Sequence, residues 1–228
     1  MKPTFKLLLL AIPAIAANAY ADPKLQDTQT LRLSAADLDL LKVDVSAGKL
    51  DITGEQNLNE IIVIAEIYQD KPLDNFELSL ENTRSNDAKL ITKIKQSGLL
   101  NSWNNDTRID LTVRMPANLD LRIDDGSGSI QVNDTNGELD IDDGSGSILV
   151  DNVLGDVSIE DGSGSITISN LGGHLEINDG SGSIDINNVI GTVTVWDGSG
   201  SIDVQGAGDF VLKDDGSGSV NIENIQTS

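Results

Sequence analysis

DGSGSIQVNDTNGELDID, residues 125–142, runs straight into DGSGSILVDNVLGDVSIE at 143–160 and DGSGSITISNLGGHLEIN at 161–178. The block DGSGS begins at Asp125, Asp143, Asp161, Asp179, Asp197 and Asp215, so five successive intervals are each 18 residues with no insertion or deletion. A fixed period of this kind marks stacked repeats, because one short unit cannot bury its own apolar face and must lay it against the next. Within each unit the apolar positions alternate as they do in strands. One column reads Ile130, Ile148, Ile166, Ile184, Ile202, Val220 and its companion Val132, Val150, Ile168, Ile186, Val204, Ile222. A second strand supplies the opposite wall, with columns Leu139, Val157, Leu175, Val193, Val211 and Ile141, Ile159, Ile177, Val195, Lys213, the lysine breaking the pattern in the last unit.

Small residues separate the strands. One corner is DGSG; the other centres on Gly137, Gly155, Gly173 and Gly191, where glycine is expected to supply positive φ. Two short strands and two corners per 18 residues describe one turn of a coil whose backbone hydrogen bonds run along the axis. The reading is therefore an all-β fold, a right-handed parallel β-solenoid of about six 18-residue turns over residues 117–228. At about 4.8 Å per rung the body is about 30 Å long.

Residues 22–116 make an N-terminal β region in which 31–116 lack the period but stay strand-like, with alternation at 40–45, 49–53, 60–68, 76–80, 89–94 and 108–113. VDVSAGKLDI at 43–52 has the look of a degenerate turn. This irregular β region is expected to be continuous with the solenoid and to cap it, since an open end exposes edge strands. Residues 22–30 read as a flexible lead-in and QSGLLNSWNND at 96–106 as a loop.

The first 21 residues carry Lys2 and Lys6, an apolar run from Leu7 to Ala17 and small residues at Ala19 and Ala21, a secretory signal with an A-x-A cleavage pattern. No stretch reaches the roughly 20 apolar residues of a spanning helix, so the chain is not expected to be transmembrane. Periplasm is the expected destination, with the cell surface or the medium as alternatives. There is no cysteine, and hence no disulfide framework.

Of the 37 acidic residues, 20 fall in residues 124–228, where Lys213 is the single base. Such a surface repels nucleic acid, whose binding draws on Lys and Arg, and favours basic or cationic partners. Catalysis finds little purchase: there is one histidine, His174, at an outward strand position, and uniform turns leave no long loops to form a cleft. No cofactor is required.

Two groups of residues invite a binding role. Asp125, Asp143, Asp161, Asp179, Asp197 and Asp215 recur at one corner, so stacking sets like charges about 5 Å apart at a cost on the order of 1 kcal/mol per neighbour in water. Asx-type hydrogen bonds within each turn answer part of that repulsion, and calcium or another divalent cation shared between rungs would answer more. The calcium repeat G-G-x-G-x-D-x-U-x places its Asp where this chain has Ile130 and its equivalents. The second group is Thr194, Trp196, Phe210 and Leu212. These form an apolar partner surface if all face outward; the alternative turns Phe210 and Leu212 inward and Lys213 out.

The layout of an irregular β region, LTVRMPANLDLRI at 111–123, then recurring Ser-Gly turns, resembles a bacterial family of putative adhesins of unknown function built on β-strand repeats. The resemblance spans residues 31–225 and implies an exported β-solenoid without catalytic residues to carry over. The DGSGS blocks here are more uniform than the family's. The reading is an exported, non-catalytic solenoid presenting an acidic repeat surface to an envelope protein or a glycan. Alternatives are a divalent-cation module on the aspartate column and, remotely, a polysaccharide-acting β-helix enzyme. End-to-end self-association is a further option for a solenoid end.

Overall fold

A computed structural model describes residues 23–69, 76–83, 85–94 and 107–226. Residues 1–21, read as a secretory signal, and 96–106, read as a loop and containing Trp103, lie outside the described residues. The chain forms β1 (Lys24–Ser34), β2 (Leu40–Val45), β3 (Gly48–Glu55), β4 (Glu60–Gln69), β5 (Phe76–Asn82), β6 (Asp87–Ile94) and β7 (Arg108–Pro116). The repeats follow as β8 (Asp120–Asp125), β9 (Gly128–Asn133), β10 (Leu139–Asp143), β11 (Gly146–Val153), β12 (Val157–Asp161), β13 (Gly164–Leu171), β14 (Leu175–Asp179), β15 (Gly182–Asp197), β16 (Gly200–Asp215) and β17 (Gly218–Ile225).

The repeats build a parallel β-solenoid. On the first wall β8, β10, β12, β14 and the second halves of β15 and β16 pair in parallel, with Leu121, Leu139, Val157, Leu175 and Val193 in one column. On the second wall β9, β11, β13, the first halves of β15 and β16, and β17 do the same, with Ile130, Ile148, Ile166, Ile184, Ile202 and Val220 aligned. The β-branched columns are buried from Ile130 through Val204 and make one continuous core. Each such side chain withdrawn from water stabilises the stack by roughly 1.5–3 kcal/mol.

The irregular half adds two rungs in an order the chain does not follow. β2 pairs with β8 and β3 with β9, so residues 43–52 do form a turn stacked on the first DGSGS rung. On its far side β2 pairs with β6 and β3 with β7, again in parallel. Beyond these the pairing turns antiparallel: β5 on β6, β4 on β7, and β1 on β4. Residues 24–30, read as a flexible lead-in, are instead part of β1. The strongly apolar edge of β4, Ile61–Ile67, holds a partner along its whole length despite the polar composition of that partner.

The corners differ from expectation in one respect. Positive φ at the second corner belongs to Asp134, Asn152, Asn170 and Asn188, with φ of 56–60°, and not to the glycines after them. Gly155 is required for space: a Cβ there would lie 2.1 Å from the Gly137 carbonyl oxygen of the preceding turn. At the first corner the second glycine carries both demands, since Gly164 has φ of 154° and its Cβ would lie 1.8 Å from the Gly146 oxygen.

The last turn is also corrected. Val193 aligns with Phe210 and Val195 with Leu212, while Lys213 is the extra residue of a bulge before Asp214. Phe210 and Leu212, and not Val211 and Lys213, thus occupy the inward columns. Dropping one residue at the preceding corner and regaining it at Lys213 keeps Asp215 in register with Asp197. β17 closes the second wall among the described residues, and Val220 and Ile222, in core columns but with no rung beyond them, are 37% and 41% exposed.

Candidate functional site

Two features of the stack gather chemistry: a carboxylate column inside it and a shallow groove outside it. The column follows from strand parity. Leu139 and Ile141 face the core, and the same alternation carried one step further turns Asp143 inward before the corner begins. The pattern repeats at Asp125, Asp161, Asp179 and Asp197, and all five side chains are between 2% and 5% exposed. One oxygen of each is used in an Asx turn: Oδ1 accepts the N–H of Ser127, Ser145, Ser163, Ser181 or Ser199, two residues on, at 3.0–3.2 Å. Oδ2 of each is buried and has no hydrogen-bond partner, and Oδ1 of Asp215 is in the same condition at the last rung.

No base answers these charges. None of the ion pairs among the described residues includes a column aspartate. The column ends beneath Val45, which takes the aspartate's place in the β2–β3 turn. Loss of hydration, and then the neighbouring carboxylates Asp125 and Asp161, push Asp143 up to about 6. Asp179 rises to about 6 for the same reason, between Asp161 and Asp197. Burial raises Asp125, Asp161 and Asp197 as well, helped by Asp124 at Asp125 and by Asp215 at Asp197.

The groove lies on the outer face of the first wall and encloses about 500 Å³. Its lining comes from successive rungs: Arg122, Glu138 and Asp140, then Asp156 and Ser158, then His174 and Glu176, then Thr192 and Thr194. Three residues at or just before the start of a strand of this wall are tied to the rung after them. Asp120 Oδ1 accepts the Glu138 N–H at 2.9 Å, Asp156 Oδ1 the His174 N–H at 2.7 Å, and His174 Nδ1 the Thr192 N–H at 3.0 Å. These bonds fix the floor rung by rung. Arg122 pairs with exposed Asp140 at 2.7 Å, leaving Glu138, Asp156 and Glu176 as excess negative charge. His174 is exposed, as its strand position indicates, but its Nδ1 is committed to the backbone. The groove can accept hydrogen bonds from a ligand rich in hydroxyl or ammonium groups.

Of the residues singled out as an apolar partner surface, Thr194 lines the groove and Trp196 lies two residues along the same outer face, half-buried. Phe210 and Leu212 sit in inward columns of the last turn, Leu212 being 37% exposed where nothing follows it on that wall. The four do not form one outward patch. The sequence marks this face as one that grades from Glu138 and Asp140 to Thr192 and Thr194, and the 18-residue spacing of Glu138, Asp156, His174 and Thr192 was the signal that joins them.

No family model matches the sequence, and no curated protein does. Among solved structures the chain is similar to a putative cell adhesion protein from Clostridium sporogenes (15% identity, 87% of this chain and 99% of that one, TM-score 0.47). It is also similar to a putative adhesin from Bacteroides fragilis (13%, 87% and 98%, 0.47) and a putative lipid binding protein from Parabacteroides distasonis (14%, 86% and 97%, 0.33).

Proposed function

We propose that this is an exported, non-catalytic interaction protein of the bacterial envelope that offers the carboxylate-lined groove of its first wall to a glycan. The observation that supports the reading is the groove itself: Glu138, Asp156 and Glu176 with Ser158, Thr192 and Thr194, repeated rung upon rung on a rigid sheet. Such a floor matches a linear ligand whose hydroxyl or ammonium groups recur along its length. Half-buried Trp196 adds a flat apolar platform beside it. The N-terminal signal pattern supports delivery to the periplasm or the cell surface.

Titration of the purified Trp103→Phe protein with soluble envelope glycans, neutral and amino-sugar, read by Trp196 fluorescence, tests this. Glu138→Gln combined with Glu176→Gln is expected to weaken binding by tenfold or more. Binding that no glycan shows, or that the double variant leaves unchanged, sinks the proposal.

The unpartnered Oδ2 atoms of the column favour a second reading, a cation module. Calcium takes six to eight oxygen ligands, whereas the column supplies one free oxygen per rung, and among the described residues no three carboxyl or imidazole groups converge on a metal position. Calcium titration at pH 7.5 with melting curves separates the readings: a saturable rise in Tm would put the cation module first.

A further inference from the structure

We propose that the inward aspartate column is a proton-binding site coupled to folding: each rung buries a carboxyl oxygen that has no donor and that a proton would satisfy, so acid tightens the solenoid and neutralisation loosens it. The geometry requires some compensation. Five carboxyls stack in register one rung apart, each with Oδ1 bound to its own turn and Oδ2 sealed from water without a donor. A carboxylate left so is costly, whereas the neutral acid carries its own O–H and is a donor as well as an acceptor.

The groups acting on the column come from every side. Along the axis they are other column carboxyls and, at the top, Val45. Across the core they are the aliphatic columns headed by Ile130 and Val132. From the strands outward it is Asp124 near Asp125, and from the corner the backbone N–H of the serine two residues on and, at Asp125, Asp143, Asp161 and Asp179, of the glycine next to it. No lysine or arginine is among the influences on the five buried aspartates, and the charges that reach them are acidic.

The direction follows from linkage. A carboxyl held higher in the folded chain than in the unfolded one binds more protons when folded, so stability is greatest below the unfolded value and falls as pH rises through the folded one. With Asp143 and Asp179 at about 6, the window is pH 4 to 7. At pH 5 folding takes up protons at both of these groups. This is the reverse of ordinary acid denaturation, in which paired carboxylates must be protonated to unfold.

The test is the urea midpoint of the purified protein from pH 4 to pH 8, in high salt to screen the acidic exterior. The midpoint is expected to fall steadily as pH rises from 4 to 7. Asp143→Asn with Asp179→Asn, in which the amide keeps the Oδ1 acceptor, is expected to flatten that slope and to raise the midpoint at pH 7.5. A level or rising midpoint in the parent, or a slope that the double variant keeps, would overturn the proposal. Should the variant not fold, infrared spectra of the parent decide: a protonated carboxylic acid stretch at pH 5 that is stronger in the folded protein than in the unfolded chain at the same pH supports it, and a stretch no stronger in the folded protein overturns it. A saturable calcium-induced rise in midpoint at pH 7.5 that abolishes the slope would overturn it too, by assigning the column to a metal.

Discussion

Each turn of the solenoid has two corners, and they solve the same stacking problem with different side chains. At the exposed corner, amides hand hydrogen bonds from turn to turn: Asn152 Nδ2 donates to Asp134 Oδ1 at 2.5 Å, Asn170 Nδ2 to Asp151 Oδ1 at 2.9 Å, and Asn188 Nδ2 to Asn170 Oδ1 at 2.8 Å. At the buried corner stands an aspartate in every repeat, with one oxygen left without a donor. An amide can donate to the rung beside it and a carboxylate cannot, so the chain has the more stable ladder where water could have helped and the less stable one where water is excluded. Stability alone does not explain that choice. A chain that uses asparagine at one corner and never at the other points to a use for the ionisable group.

The comparison can be broken most severely at the glycines that let both corners stack. Gly164→Ala adds a Cβ where φ is 154° and a carbonyl oxygen lies 1.8 Å away. It is expected to cost about 3 kcal/mol or more, or to prevent folding, in urea denaturation followed by circular dichroism. Gly155→Ala meets the close approach without the backbone strain and is expected to cost less. A smaller and opposite effect is expected from Asp161→Asn, which gives the buried corner the chemistry of the exposed one. It should stabilise the protein at pH 7.5 by about 1–2 kcal/mol and lose that advantage at pH 4.5, measured as paired urea midpoints. The reciprocal change, Asn170→Asp, removes the donor to Asp151 and is expected to destabilise by about 0.5–1 kcal/mol, less in high salt. At the bottom of the scale, Arg122→Ala removes an exposed ion pair with Asp140 and is expected to change the midpoint by less than about 0.5 kcal/mol. If Asp161→Asn instead destabilised the protein at neutral pH, the two corners would be doing the same structural task, and the case for a titrating column would fall with the contrast.

Much of the architecture was legible because the repeat is uniform. The 18-residue interval, the alternating Ile and Val columns and the DGSG corner together fix which residues stack on which, and the strands β9 to β17 follow those columns except in the second half of β16, where Phe210 and Leu212 replace Val211 and Lys213. The column aspartates were legible as a ladder but not as an interior one. Leu139, Ile141 and Asp143 share one strand parity, yet a corner was expected to begin at the aspartate and to end the alternation there. The strand in fact runs through Asp143, and the turn starts at Gly144. The groove was harder still. His174 and its 18-residue relatives were identifiable as outward positions, but whether outward side chains border a concavity depends on how the sheet curves, which no single residue encodes.

The sequence by itself determined the period, the core columns up to the last turn, the corner residues and the acidity of the exterior, because these rest on local alternation and on identical neighbours one turn away. Only the tertiary structure decided that β2 and β3 lie between β6–β7 and β8–β9, that residues 24–34 close against β4, and that a bulge at Lys213 restores the register of Asp215. Those choices join strands far apart in the chain without a repeat to align them, and they are settled by which edges can bury their apolar faces and satisfy their backbone groups together.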